Sequence, residues 1–553
     1  MAAPLAGAGS DTVPVVIVGG GPVGLACAME LSQHGVASVV LEKRREVTMA
    51  RPRAKTVSAR TMEHLRRWGI ADALRRRAPI PVAWSKEVVF CTSVLGREVA
   101  RIGDCFGLEL DGSDLVSECG QQVAQPYVEQ LLRDEVTTSP LIDLRTGVTV
   151  VGVNEHDRGV TVALDEEGYR SSLAANYVLG CDGGASLTRD AIGARLEGSD
   201  DSRPNLNVTF RAPDLGDRIP FGPALHYWVL NPAQPGLIGR LDLDGTWWSG
   251  GLGIDPETTS LTPEEIVHRI VGEEIEIEVL STDPWRARML LADSYGTSRV
   301  FLVGDAAHQN PPWGGHGFNT GIGDAVNICW KLAAVIAGWA PAALLETYES
   351  ERRPIEEQTI AISAANMRVL SSELSDPRLM GDDEAFGAAV DAVAELVYAQ
   401  KEAEFHSLGL TLGYHYEGSS IVSTEPGEPP SSDATVYVPT ARPGHRLPHL
   451  WLAPGVSVFD RLGGGLSLVG DLSTVGAKAI VAAADELGIP LGSVDLGVGG
   501  HRALHGASLV LVRPDQHVAW RGDEVADAVA VLKMAVGYPS YAHSSRPHAG
   551  SPR

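Results

Sequence analysis

A chain of 553 residues is long for one hydrophobic core and predicts two or three domains with room to enclose a large ligand. Its 70 acidic against 45 basic side chains, a formal charge of -25, repel polyanions and exclude nucleic acid as a partner. Six scattered cysteines without a CxxC pair speak against zinc, a dithiol centre or a disulfide framework, and no apolar run of about 18 residues is present, so a cytoplasmic protein without metal or membrane contact is expected.

Residues 13–42 read strand, glycine turn, helix, strand. The turn, Gly19-Gly20-Gly21-Pro22-Val23-Gly24, is a GxGxxG, whose missing side chains let backbone approach a pyrophosphate at a helix N-terminus. Glu42 closes the next strand, where a carboxylate can accept from an adenosine ribose. Helical patterns follow at 58–68 and 125–136, and short antiparallel strands at 85–102 and 148–164. The arginine-rich stretch 66–77 reads as a solvated helix face. Residues 205–293 alternate strand formers with Gly/Pro turns, a sheet inserted into the first domain. A buried strand returns at Arg299, followed by a glycine-rich loop, a long helix over 324–337 and further helices to about 404. Residues 414–444, with EPGEPPSSD, have linker composition; 445–537 alternate strand and helix; and 538–553 have a disordered composition.

Two further segments are more specific than the glycine turn. Tyr177-Val-Leu-Gly-Cys-Asp182-Gly183-Gly-Ala-Ser186-Leu-Thr-Arg189 and Arg299-Val-Phe-Leu-Val-Gly304-Asp305-Ala-Ala-His308 resemble the DG and GD motifs of the class A, single-component FAD-dependent aromatic hydroxylases. The chain is closest in pattern to phenol and 2,4-dichlorophenol hydroxylases and to actinobacterial natural-product tailoring monooxygenases. The resemblance implies an α/β fold: a Rossmann-like FAD-binding domain (1–80, 111–200 and 294–413), an inserted antiparallel-sheet substrate domain (81–110 and 201–293) and a C-terminal thioredoxin-like domain (445–537). That last domain lacks CxxC, which suits a scaffold or homo-oligomer contact better than redox work.

By the same resemblance Asp305 holds the ribityl chain, Asp182 and Arg189 serve flavin and pyridine nucleotide, Arg53 of the PRA-type segment contacts the diphosphate, Gln125 opens a helix near the flavin, and Lys43 stands beside the ribose. Pro312, Gly315, Gly317, Phe318 and Asn319 line the isoalloxazine, with His316 merely adjacent. Backbone N–H groups at this glycine-rich helix entrance suit the negative charge of reduced flavin. Gly19, Gly21, Pro22, Val23, Gly24 and Glu42 complete the cofactor set.

The implied reaction is hydroxylation of a phenolic or hydroxy-heteroaromatic ring through a flavin C4a-hydroperoxide, with O2 and NADPH or NADH, in secondary-metabolite tailoring. Degradation of simple phenols, oxygen insertion beside a ketone, and a non-catalytic flavin-binding assembly protein are the alternatives. Close relatives carry a histidine where this chain has Lys55; a lysine in an apolar site could take a phenolic proton or hold a phenolate, and a solvated one would do neither. His226, Tyr227, Trp228, Arg240, Trp247 and Trp248 offer an aromatic wall with polar handles, or else ordinary core aromatics and a surface arginine; Lys55, His226 and Arg240 are the candidate catalytic residues.

Overall fold

Apolar runs separated by glycine turns become five parallel strands, in spatial order Ile142–Thr146, Ser38–Glu42, Thr12–Val18, Tyr169–Gly180 and Val300–Leu302, in the computed structural model. It describes residues 12–110, 112–199, 204–368, 374–499 and 502–539; the tail expected over 538–553 lies outside these from residue 540 onward. Helices cover one face, burying Val15 and Ile17, while Val16 and Val18 on the other pack with Val160, Val162 and Leu164, so these strand residues are buried from both sides. The hairpin Thr149–His156 and Gly159–Glu166 extends the sheet antiparallel, as its alternating pattern predicts. Because Val300–Leu302 pairs with Val178–Gly180, the turns at Gly183 and Gly304 leave the sheet at the same carboxyl edge as the Gly19 turn.

A second sheet has seven strands, from Glu278–Arg286 through Pro204–Arg211, Thr246–Gly251, Gly236–Arg240, His226–Val229 and Val88–Cys91 to Glu98–Ile102. Its faces divide by the two-residue period of a strand. Val89, Phe210, Tyr227, Ile238 and Trp247 pack with Ile266 and Ile270 of helix Pro263–Val271. Val88, Phe90 and Trp228 face the other way, toward Trp313 and Phe405.

The long helix expected from 324 begins earlier, at His316, and runs to Ile336. Gly314 and Gly315 adopt φ of 86° and 68°, turning the chain so that the next glycines can enter the helix. Their poor helix propensity is overridden by close packing: a Cβ on Gly321 would lie 2.8 Å from Val23 Cγ2 and 3.3 Å from Gly304 Cα.

A four-stranded sheet, Leu491–Asp495, Leu466–Gly470, Leu509–Val512 and Val518–Gly522, forms the C-terminal body. The segment expected as a linker over 414–444 has no regular element, yet it is no free tether. Ile421 and Val422 are buried in one apolar cluster with Trp330 and Leu344 on one side and Leu466 and Leu532 on the other, anchors that its polar composition conceals. The arginine stretch is less solvated than expected, with Arg66 paired to Asp460 and Glu118, and Arg67 to buried Glu30. Among the described residues no helix is long and apolar enough to cross a membrane.

Candidate active site

The Gly19 turn is fixed by two close approaches. A Cβ on Gly19 would lie 2.4 Å from the Cys181 carbonyl oxygen, and one on Gly24 would lie 1.9 Å from the Gly19 carbonyl oxygen. Gly21 instead faces open space and stands at the start of helix Pro22–Gln33, with Pro22 at its first position. No side chain caps this helix and no acidic group sits in its first turn, so its leading N–H groups remain available to an anion. Val23 packs between Gly304 and Gly321.

Glu42 accepts from the Gly20 N–H (2.8 Å), the Arg44 N–H (2.8 Å) and Arg44 Nε (2.9 Å). Burial favours its protonated form, but these bonds and the guanidinium outweigh it and hold the carboxyl below its usual range. Lys43 is exposed and makes no contact among the described residues. The basic partner is Arg44, bridging Glu42 and Glu129 (3.0 Å). Arg44 lies just past the strand end and folds back on Glu42, a contact that no period in the sequence announces.

Asp182 accepts from Ser186 Oγ (2.5 Å), Thr188 N (2.9 Å) and Thr188 Oγ1 (3.1 Å), opening helix Leu187–Ala191. Arg189 does not pair with it; its guanidinium spans from the Gly184 carbonyl (3.0 Å) to the Ala306 carbonyl (3.1 Å) and locks one turn onto the other. Asp305 is exposed at the strand end and takes no hydrogen bond among the described residues.

Beneath it His308 Nε2 meets Asp324 (2.8 Å), His308 Nδ1 lies 3.2 Å from Glu356, and Arg352 joins both carboxylates (2.7 and 3.0 Å), all buried. Asp324 also accepts from the Gly304 N–H (3.2 Å), so the cluster holds the turn that presents Asp305. Burial opposes a charge on His308, but Glu356 and Asp324 raise it to about 9. The His308, Asp324 and Glu356 ligand atoms lie within 4.8 Å of one another, yet a protonated imidazole and Arg352 already balance the two carboxylates. Sequence reading gave Asp324, Arg352 and Glu356 no part; Asp324 is signalled by charge in an apolar helix, whereas Arg352 and Glu356 are hidden among the other charges of TYESERRPIEEQ.

In the loop before helix His316–Ile336, Pro312 is exposed, and Gly315 opens the helix with no side-chain cap and no acid in the first turn. A Cβ on Gly317 would meet nothing closer than 3.7 Å, and Phe318 packs half-buried on the main core. Asn319 accepts from the Ser58 N–H (2.9 Å) and donates to the Thr56 (3.2 Å) and Gly315 (2.8 Å) carbonyls. His316 is buried, and burial lowers it to about 4, so it stands neutral beside the loop. The segment behind is fastened by Gln125 N–H to the Ala54 carbonyl (2.8 Å) and Val123 N–H to the Lys55 carbonyl (2.9 Å). Gln125 begins helix Gln125–Val136, and the Arg53 side chain is exposed.

Beside this loop Lys55 Nζ lies 4.0 Å from the Trp248 ring and donates to the Arg53 carbonyl (2.8 Å). Burial lowers it to about 8 against the pull of Asp283, and no carboxylate lies within ion-pair distance among the described residues. His226 stands between Trp248, Phe106 and Phe405, with ring centroids 6.2, 6.0 and 5.8 Å away. Burial, then Lys55 and Lys401, lower it to about 3, so its imidazole is neutral. The indole N–H groups of Trp228 and Trp248 are buried without a partner.

Arg240 does not join Lys55 and His226. It lies 4.4 Å from the Trp247 ring on the helix-covered face, with Tyr227, because adjacent residues of a strand point to opposite sides. The expected wall therefore splits: His226, Trp228 and Trp248 face the loop, whereas Tyr227, Arg240 and Trp247 belong to the packing behind it. Two uncapped helix N-termini, with Glu42 and Asp305, could hold a ligand with phosphates, a polyhydroxyl chain and an anionic ring edge.

A family model for an FAD binding domain matches residues 12–363, and one for the C-terminal part of aromatic-ring hydroxylases matches residues 440–539. The chain is 34% identical to the FAD-dependent monooxygenase apdD of Emericella nidulans, over 95% of this chain and 90% of that one. It is 31% identical to the tetracenomycin A2 monooxygenase-dioxygenase of Streptomyces glaucescens, over 95% and 96% of the two chains. Among solved structures, RebC with bound 7-carboxy-K252c superposes with a TM-score of 0.89 at 34% identity, over 96% of this chain and 99% of that one.

Proposed function

Because the chain belongs to the FAD-dependent aromatic-ring hydroxylases, we propose that it hydroxylates a phenolic or hydroxy-heteroaromatic ring of a polycyclic secondary metabolite, with NAD(P)H and O2. It is an FAD-dependent aromatic monooxygenase, and its relatives' names, tetracenomycin A2 monooxygenase-dioxygenase and RebC with 7-carboxy-K252c, favour large fused-ring substrates. The residues fit FAD: the open helix start at Gly21 would take the diphosphate, Glu42 the ribose, Asp305 the ribityl hydroxyls, and residues 314–319 the ring edge. When bound, FAD supplies the reductive activation of O2.

The observation that carries the substrate reading is Lys55, an ammonium against Trp248 with no carboxylate partner. A half-buried cation with no anionic partner is costly, and an anionic ring oxygen would offset that cost. Lys55 would thus hold the substrate as its phenolate, the phenolic proton having passed to solvent as the ring binds, and so raise electron density on the ring, while neutral His226 and the free indole N–H groups offer hydrogen bonds to further ring oxygens. Phe106, Trp228 and Phe405 exclude water. In Lys55→Met, product formed per NAD(P)H consumed should fall about tenfold or more while FAD binding is unchanged, a loss of about 1.4 kcal/mol at the ring. Unchanged coupling with every fused-ring phenol tried would refute the assignment.

The four-stranded C-terminal body is read as a thioredoxin-like appendage acting as a scaffold. Its Arg513 and Asp515 are spent on this chain's own Glu351 and Trp330, so self-association would use another face. Light scattering of the FAD-loaded protein tests for a homo-oligomer.

A further inference from the structure

A buried ion pair lies outside the parts used so far. Lys401 and Glu404 occupy the last turn of helix Val390–Phe405, 0% and 3% exposed, with Nζ 2.8 Å from Oε2. Their surroundings are apolar: Phe90, Trp228, Trp313 and Phe405 form one cluster. Burying such a pair stabilises a fold little or not at all, so its position calls for another account.

Each partner reaches a different part of the molecule. Glu404 stands against the backbone of Gly314, the first left-handed residue of the loop before helix His316–Ile336, and the Gly314 N–H favours the charged carboxylate against burial. Lys401 donates to the Asn366 carbonyl (3.0 Å), near the end of helix Thr347–Arg368, and its Nζ lies 4.2 Å from the Trp228 ring, beside His226. We propose that Lys401 and Glu404 are positioning residues that fix the Gly314 turn of the flavin-facing loop against the ring-binding face of the sheet. A substrate ring resting on Trp228 meets the same cation that neutralises the carboxylate holding the loop, so ring and flavin are registered through one pair. This rests on the reading of residues 314–319 as the flavin's neighbour.

The test uses the full FAD-loaded chain without substrate. Glu404→Ala should weaken FAD binding about tenfold and shift the two-electron reduction equilibrium of the flavin about tenfold, near 30 mV. Glu404→Gln, which keeps an acceptor for Gly314, should retain most of both. Lys401→Met strands a buried carboxyl, so the bound flavin's absorption should gain a pH transition above the ordinary carboxyl range that is absent from the parent and from Lys401→Met/Glu404→Gln. A merely structural pair would lower the melting temperature without that transition. If Glu404→Ala keeps the parent's flavin affinity and reduction equilibrium, or Lys401→Met shows no transition, the proposal fails; where Glu404→Ala does not fold, the transition decides alone. Gly315→Val separates the two readings: a flavin unaffected by it would overturn the loop assignment, whereas a flavin that responds to Gly315 and not to Glu404 overturns only the pair.

Discussion

At the scale of single residues, Gly24 and Lys55 test the proposed cofactor and substrate sites separately. Gly24 has no room for a methyl group, so Gly24→Ala must push helix Pro22–Gln33 off its strand. The expected outcome is FAD affinity weakened at least about tenfold and stability lowered by about 1–3 kcal/mol, read by flavin fluorescence titration and thermal melting. Lys55 gives a pH signature. Its value of about 8 makes it an ammonium below that pH, while the phenolate fraction of the substrate grows up to the phenol's own value near 10, so kcat/KM for a phenol should rise to about pH 8, level off and fall above about 10. Lys55→Arg, always charged, should extend the rise to about pH 10; a parent profile with no break near 8 would contradict a titrating Lys55 at the ring. Spacing made Gly24, Glu42 and Asp305 readable from the sequence, because backbone approach and strand ends are local properties. Arg240 falls away from Lys55 and His226 because a strand residue's reach depends on which side of the sheet it faces, and neighbours along a strand never share a side; Lys43, just past its strand's end, stays exposed.

At the scale of elements, helix His316–Ile336 is held to helix Thr347–Arg368 by the His308, Asp324, Arg352 and Glu356 cluster. His308 is raised from an unfolded value near 6.5 to about 9, so the folded state binds the extra proton between those values. Its contribution is complete below about pH 6.5 and is lost as pH rises through about 9. Melting of the FAD-free protein should therefore weaken by on the order of 2–3 kcal/mol across that interval, and His308→Gln should flatten the slope. A parent whose stability does not change over that range would contradict a charged His308. The strands and most helices were legible because their periods are set by burial of one face. The early start of helix His316–Ile336 was not, since two left-handed glycines and packing against Val23 decide it, and neither is a local preference.

At the scale of the whole molecule, the C-terminal body is clasped rather than appended. Arg513 makes two hydrogen bonds to Glu351 (2.6 and 2.8 Å), which also pairs with Lys331 (2.7 Å), and Arg446 pairs with Glu63, all buried. Removing the shared carboxylate leaves two cations without it, so Glu351→Gln should cost about 3–5 kcal/mol and open residues 414–444 to protease; the loss should persist in high salt, since buried pairs are little screened. Proteolysis and urea unfolding of the variant check this, and an intact strap would show that the clasp is held by its apolar anchors alone. The composition of 414–444 could not reveal the clasp, because its partners lie far apart in the chain.

The helix starts at Gly21 and Gly315, left without caps, reach beyond chemistry. They are assembled only in the folded chain, so flavin binding there acts directly on the folding equilibrium, adding RT ln(1 + [FAD]/Kd), about 2.7 kcal/mol at a hundredfold excess over Kd. The abundance of this protein in a cell should therefore track vitamin supply: riboflavin starvation would shorten its lifetime against proteases before it limited turnover.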